Sequence, residues 1–177
     1  MVEILKYNDD DLKDNEIDQV VTRVRAFIMS SKNNFLIAKS DIDGYQLLGD
    51  YVDENEDLAN ALAKAICKET GIVLDSSDKI EPFFEIRHYN RDYKGSGVNR
   101  MSDLIYFFIR SDKLPNYKKL KLTEEEIIKK TPIESIPKYA FVKTLKDYIA
   151  QEKDTIKQIK AKEILIAYDK LKEIYSL

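Results

Sequence analysis

The chain has one cysteine, one histidine and no tryptophan in 177 residues. A lone Cys67 excludes an intramolecular disulfide. Together with a lone His88 it also excludes a CxxC zinc site and a two-histidine zinc helix. Long hydrophobic runs are missing as well, since no stretch approaches the roughly 20 apolar residues of a membrane span. The opening residues MVEILKYNDDD lack a basic start followed by an apolar run, so they do not read as a signal peptide. Neither sign of charge dominates: 29 Lys and Arg stand against 32 Asp and Glu, a net charge of −3. A nucleic-acid footprint or an anionic-membrane binder would show a basic excess. These absences leave a soluble protein, expected in the cytoplasm, with neither a membrane nor a nucleic acid as partner.

Apolar residues make up 44% of the chain, enough for a core in one domain of this length. There is no internal repeat. Residues 1–17 form an acidic lead-in or edge strand, 18–112 a strand-rich core, and 113–177 a helical extension. Val20–Ser30, VVTRVRAFIMS, is β-branched and apolar, which predicts a strand. The turn residues SKNN follow, and Phe35–Ser40 resumes as a second strand, so the two should form a hairpin. Glu81–Tyr89 and Leu104–Arg110 predict two more strands, joined by the long polar loop NRDYKGSGVNRMS. His88, inside the first of these, reads as a packing residue.

Helical spacing appears at Leu58, Ala61, Leu62, Ala65 and Ile66. Asn55 suits its N-cap and Gly71 its C-terminal stop. Past Asp112, Thr123 and Glu126 form a capping-box pattern, and Pro132 and Pro137 mark the next boundary. Phe141, Val142, Leu145, Tyr148 and Ile149 then define one helix face. A longer stripe runs through Ile156, Ile159, Ile164, Tyr168, Leu171, Ile174 and Tyr175. Such stripes are core or partner-helix surface. This one exceeds what a small sheet needs to cover, and suits a homodimer.

The most informative stretch is Leu47–Leu74, LLGDYVDENEDLANALAKAICKETGIVL. A Gly-Asp turn leads into a knot of acids, then into a helix that carries lysines. The order of strand, strand, acidic loop, helix, ETGI and strands resembles the Nudix family. Its members hydrolyse compounds in which a nucleoside diphosphate is linked to another moiety. The family signature, G-x5-E-x7-R-E-U-x-E-E-x-G-U with U a bulky aliphatic residue, aligns on Glu69–Ile72 and spans Asp50–Ile72 without a gap. Glu56 falls on the isolated glutamate, Ile66 and Ile72 on the aliphatic positions, Glu69 on the last glutamate and Gly71 on the glycine. Asp50 stands in place of the first glycine, with Gly49 just before it. Lys64 stands for the arginine, and Ala65 and Lys68 for two glutamates.

The resemblance implies an α/β/α sandwich with a mixed sheet and a C-terminal helical extension. It also implies cleavage of a phosphoanhydride in a small nucleotide derivative, assisted by Mg2+ or Mn2+. Glu69 inherits the catalytic and metal-ligating role. Glu56 is either a ligand or an organiser of the loop. Gly49, Lys64 and Gly71 are structural, with Lys64 pairing with Glu56. Residues 65, 68 and 69 are three and four apart, so they share one helix face. In an intact box that face carries carboxylates that hold the cations. Here it carries a methyl, an ammonium and one carboxylate.

A base from a later strand would come from Glu81 or Glu85. Lys68 is positioned to meet a phosphate directly. Arg91, Tyr93 and Arg100, in the loop near Lys94–Gly97, supply cationic and aromatic contacts to a ligand. The expected activity is weak or atypical hydrolysis. The alternative is a catalytically silent fold that binds a nucleotide or another protein.

Overall fold

The computed structural model describes residues 2–120, 124 and 132–177. The capping pattern of Thr123 and Glu126 lies outside them. The strands are β1 (Glu3–Tyr7), β2 (Gln19–Met29), β3 (Asn34–Ser40), β4 (Gly44–Gln46), β5 (Glu81–Asn90), β6 (Arg100–Arg110) and β7 (Ile133–Pro137). The helices are α1 (Leu58–Thr70), α2 (Lys138–Gln151) and α3 (Thr155–Tyr175). No helix among the described residues is long and apolar enough to cross a membrane.

The strands form one mixed sheet in the order β1-β5-β6-β2-β3-β4, with β7 added to β3. Helix α1 covers one face. There Leu62 and Ile66 pack with Val24, Ala26, Ile28, Phe107 and Ile109. Helices α2 and α3 cover the other, where Phe141, Leu145, Tyr168 and Leu171 pack with Phe27, Met29, Phe35 and Tyr106. This is the α/β/α sandwich that the sequence pointed to. Because both faces of β2 are buried in its second half, that strand reads as a continuous apolar run. Successive side chains alternate between the faces, so Arg23 and Arg25 share the side of Phe27.

β2 pairs in parallel with β6 along its whole length. The predicted hairpin with β3 forms, but its ladder holds only Ile28 with Leu36 and Met29 with Phe35. Beyond that point β3 leaves to pair with β4 and β7. The vacated edge of β2 is taken by the segment after β4. The Val24 and Ala26 amides donate to Asp50 and Leu48 carbonyls at 3.0 and 2.8 Å, and the Val52 amide donates to Thr22 at 3.0 Å. The acidic loop is therefore stitched to the central strand by main-chain bonds.

Several sequence expectations need correction. The helix N-cap is Asp57, whose carboxylate accepts from the Asn60 amide at 2.9 Å, not Asn55. Asn55 instead occupies a left-handed turn position, with φ 64°. Such a cap contributes about 1 kcal/mol. The polar loop between β5 and β6 is shorter than expected, because β5 continues to Asn90 and β6 begins at Arg100. Residues between Pro132 and Pro137 are more than a boundary, since they form β7 against β3. β1 is an edge strand, parallel to β5. The long C-terminal stripe divides: Ile164, Tyr168 and Leu171 are buried, whereas Ile156, Ile159 and Ile174 are exposed.

Candidate functional site

Two glycines position the site. At Gly49 the backbone passes so close to β2 that a Cβ would lie 1.9 Å from the Val24 carbonyl oxygen, and φ is 144°. At Gly71 the left-handed φ of 74° ends α1, and a Cβ would meet the Asn116 carbonyl oxygen at 2.1 Å. Only glycine fits either place. Between them the helix carries its C-terminal carboxylate back to the loop: Glu69 Oε1 accepts the Gly49 N–H at 2.9 Å.

The face formed by residues 65, 68 and 69 is graded. Ala65 is buried in the sandwich, at 4% exposure. Glu69 lies at the boundary, and Lys68 projects into solvent with its Nζ 3.7 Å from Asp50. Burial pushes the Glu69 carboxyl above its ordinary range, while the Gly49 amide and the Arg25 guanidinium pull the other way. Burial likewise lowers Arg25, opposed mainly by Glu69. Glu56 pairs with Lys64 at 2.5 Å and receives the Asp53 amide at 3.4 Å, which ties the acidic loop to the helix. That lysine holds the Glu56 carboxyl below its usual range.

This donor set differs from the multi-ion cluster that the box resemblance implies. No group of three or more His, Cys, Asp or Glu that could hold a metal occurs among the described residues. Glu56 is committed to Lys64 and Glu69 to Gly49. Arg25 and Lys68 bring positive charge to the place where dications would sit, and like charges repel. The residues present do not fit such a cluster.

The other sequence candidates are dispersed. Glu85 is buried beside Arg87, which also reaches Asp103 at 3.0 Å. Burial, reinforced by Glu85 and opposed by Arg87, raises the Asp103 carboxyl to about 6. Glu85 pairs with Ile105, which is in register with Val24, so it faces α1. Glu81 begins β5 and is exposed. Arg91 is an exposed loop residue 3.6 Å from Glu16. His88 joins α3 through Glu163 at 2.6 Å and stacks on Tyr7. A cavity of about 580 Å³ opens where β2 and β6 end, lined by Ser30, Asp78, Arg110 and Lys113, and no box residue lines it.

Tyr93 and Arg100 fall differently. The Arg100 guanidinium lies 4.3 Å above the Tyr93 ring. Arg100 pairs with Gln19, and Leu104 with Arg23, so Arg100, Arg23 and Arg25 share one sheet face. Arg23 repeats the stacking motif, 4.5 Å above Tyr51, and donates to the Tyr51 hydroxyl at 2.6 Å. Arg23, Arg25 and Tyr51 were not singled out from the sequence. The signal was the alternation in TRVR, which puts two arginines on one side of an otherwise apolar strand.

No protein-family model matches the sequence, and no curated protein matches it either. Solved structures do resemble it. A MutT Nudix hydrolase from Burkholderia pseudomallei superposes with a TM-score of 0.50 at 16% identity, over 82% of this chain and 98% of the other. A MutT protein from Bacillus halodurans gives 0.48 at 12% identity, over 71% and 72%. The Escherichia coli dihydroneopterin triphosphate pyrophosphohydrolase gives 0.48 at 13%, over 82% and 95%. The likeness is one of fold, and the fold is Nudix-like.

Proposed function

We propose that the protein uses this Nudix-like scaffold to bind a nucleoside diphosphate derivative through its own cations, without the multi-ion cluster that drives hydrolysis. The observation that carries this reading is the state of Glu69. The last carboxylate on the box helix is held by the Gly49 amide, and Arg25 is its neighbour. A guanidinium held in a partly dry cleft is a strong partner for phosphate, since it donates from a planar fork. Binding to the folded state alone raises its melting temperature. ADP and ADP-ribose should therefore stabilise the protein in EDTA, and added Mg2+ or Mn2+ should change little. Stabilisation that appears only with the metal would overturn the reading.

A second reading keeps the hydrolase. Asp50 and Glu69 lie close enough for the Asp50 charge to help push the Glu69 carboxyl upward. Two carboxylates with substrate phosphates are a workable Mg2+ set. Asp50 and Glu69 would then hold one Mg2+ or Mn2+, which supplies charge neutralisation at the phosphoanhydride. Chromatography of the mononucleotide products formed from nucleotide sugars, dinucleoside polyphosphates and nucleoside triphosphates tests it. Slow turnover that vanishes in Glu69→Gln supports this hydrolase reading, and turnover unaffected by that change refutes it.

A further inference from the structure

Among the arginines that are at least half-buried or ion-paired, Arg23 and Arg100 stand apart. Arg87 is paired with Glu85 and Asp103, and Arg91 with Glu16. Arg25 has Glu69 as its carboxylate neighbour. Arg23 and Arg100 are half-buried, each lies on a tyrosine ring, and neither has a carboxylate partner among the described residues. The Nε of each is buried without a hydrogen-bond partner. Leaving a donor on a charged group unmet inside a protein is costly. Two such groups on one face, each beside an aromatic ring, are built to meet an anion.

Their separation is fixed by the sheet. Leu104, the register partner of Arg23, lies four positions along β6 from Arg100, or about 13 Å at the rise of a strand. We infer that Arg23 and Arg100 form a two-point anion clamp, so the site selects ligands whose negative charge extends along the sheet. The preferred class is a nucleoside polyphosphate, or a nucleoside diphosphate bearing a second anionic group, over a simple nucleoside diphosphate. Arg23, beside the box loop through Tyr51, takes the phosphate nearest Glu69, and Arg100 takes the far charge. This rests on the nucleotide-binding reading above and specifies its ligand.

The test is calorimetric titration of the full chain in EDTA with ADP and with adenosine 5′-tetraphosphate. The tetraphosphate should bind about tenfold more tightly, the gain of one further charge-assisted contact. Arg100→Gln should erase that preference, and Arg100→Lys should restore part of it. Arg23→Gln should weaken both ligands. Equal affinity for the two nucleotides, or a preference that survives Arg100→Gln, overturns the clamp but leaves nucleotide binding standing. If neither nucleotide binds, both the clamp and the reading beneath it are refuted.

Discussion

The carboxylate of Glu69 and the amide of Gly49 meet at 2.9 Å, across 20 residues of sequence, and lock the end of α1 to the loop beside β2. Glutamine keeps an acceptor at this point, whereas alanine leaves the amide unmet. Glu69→Ala should lower stability by about 1–3 kcal/mol, and Glu69→Gln by clearly less. Urea unfolding of the two variants measures the difference. Equal losses would show that the bond does not hold the loop.

Lys68 and Ala65 should respond oppositely to restoring the box acids. Lys68 is exposed beside Asp50, so Lys68→Glu adds a third carboxylate near Glu69 and Asp50 at little cost to folding. Mn2+ affinity should rise, read by calorimetry, and an unchanged affinity would count against the description of the helix face. Ala65 is buried, so Ala65→Glu forces a charged side chain into the packed layer. It should destabilise the fold by at least about 1–3 kcal/mol.

The Asp103 carboxyl, raised to about 6, makes a signed prediction about pH. Between the ordinary carboxylate value and about 6, the folded protein holds a proton that the unfolded chain has released. Stability from this group is therefore present at low pH and lost as pH rises through that window. Arg87 and Glu85 share the titration, so the effect belongs to the cluster. Comparing melting curves of wild type and Asp103→Asn at pH 4 to 6 isolates it. The wild type should lose ground relative to the variant as pH rises, and parallel profiles would refute the assignment.

Gly49→Ala should be the most damaging conservative change in the loop. Its new Cβ would sit 1.9 Å from backbone rather than from a side chain able to swing away. A loss of about 1–3 kcal/mol is expected, with a matching drop in melting temperature. Gly97→Ala isolates backbone strain from the clash: its φ is also positive, at 74°, but nothing lies within 4 Å of its added Cβ, so it should cost clearly less.

Much of the architecture was legible in the residues. Leu58, Leu62 and Ile66 announced α1 by their spacing, and Gly71 its end, because helix period and left-handed caps are local properties. The Glu56–Lys64 tie followed from the box alignment. The cap at Asp57 was less legible, since Asn55 and Asp57 are both good capping residues and only the backbone conformation separates them. β7 was hidden because Pro132 and Pro137 flank a short edge strand whose identity comes from its pairing with β3. Arg23 and Arg25 were hidden in plain view, inside a strand read for its apolar residues. Their meaning depends on the register with β6, which no local pattern encodes.

The acidic loop hangs from β2 by the amides and carbonyls of residues 22, 24, 26, 48, 50 and 52. Those groups are common to every amino acid but proline. Loop side chains other than Gly49 can thus be exchanged while this main-chain ladder still holds the segment to β2, with Glu69 and Lys64 adding ties from the helix. The number of acids on a loop anchored this way is therefore set by what the loop must meet, not by what keeps the loop in place.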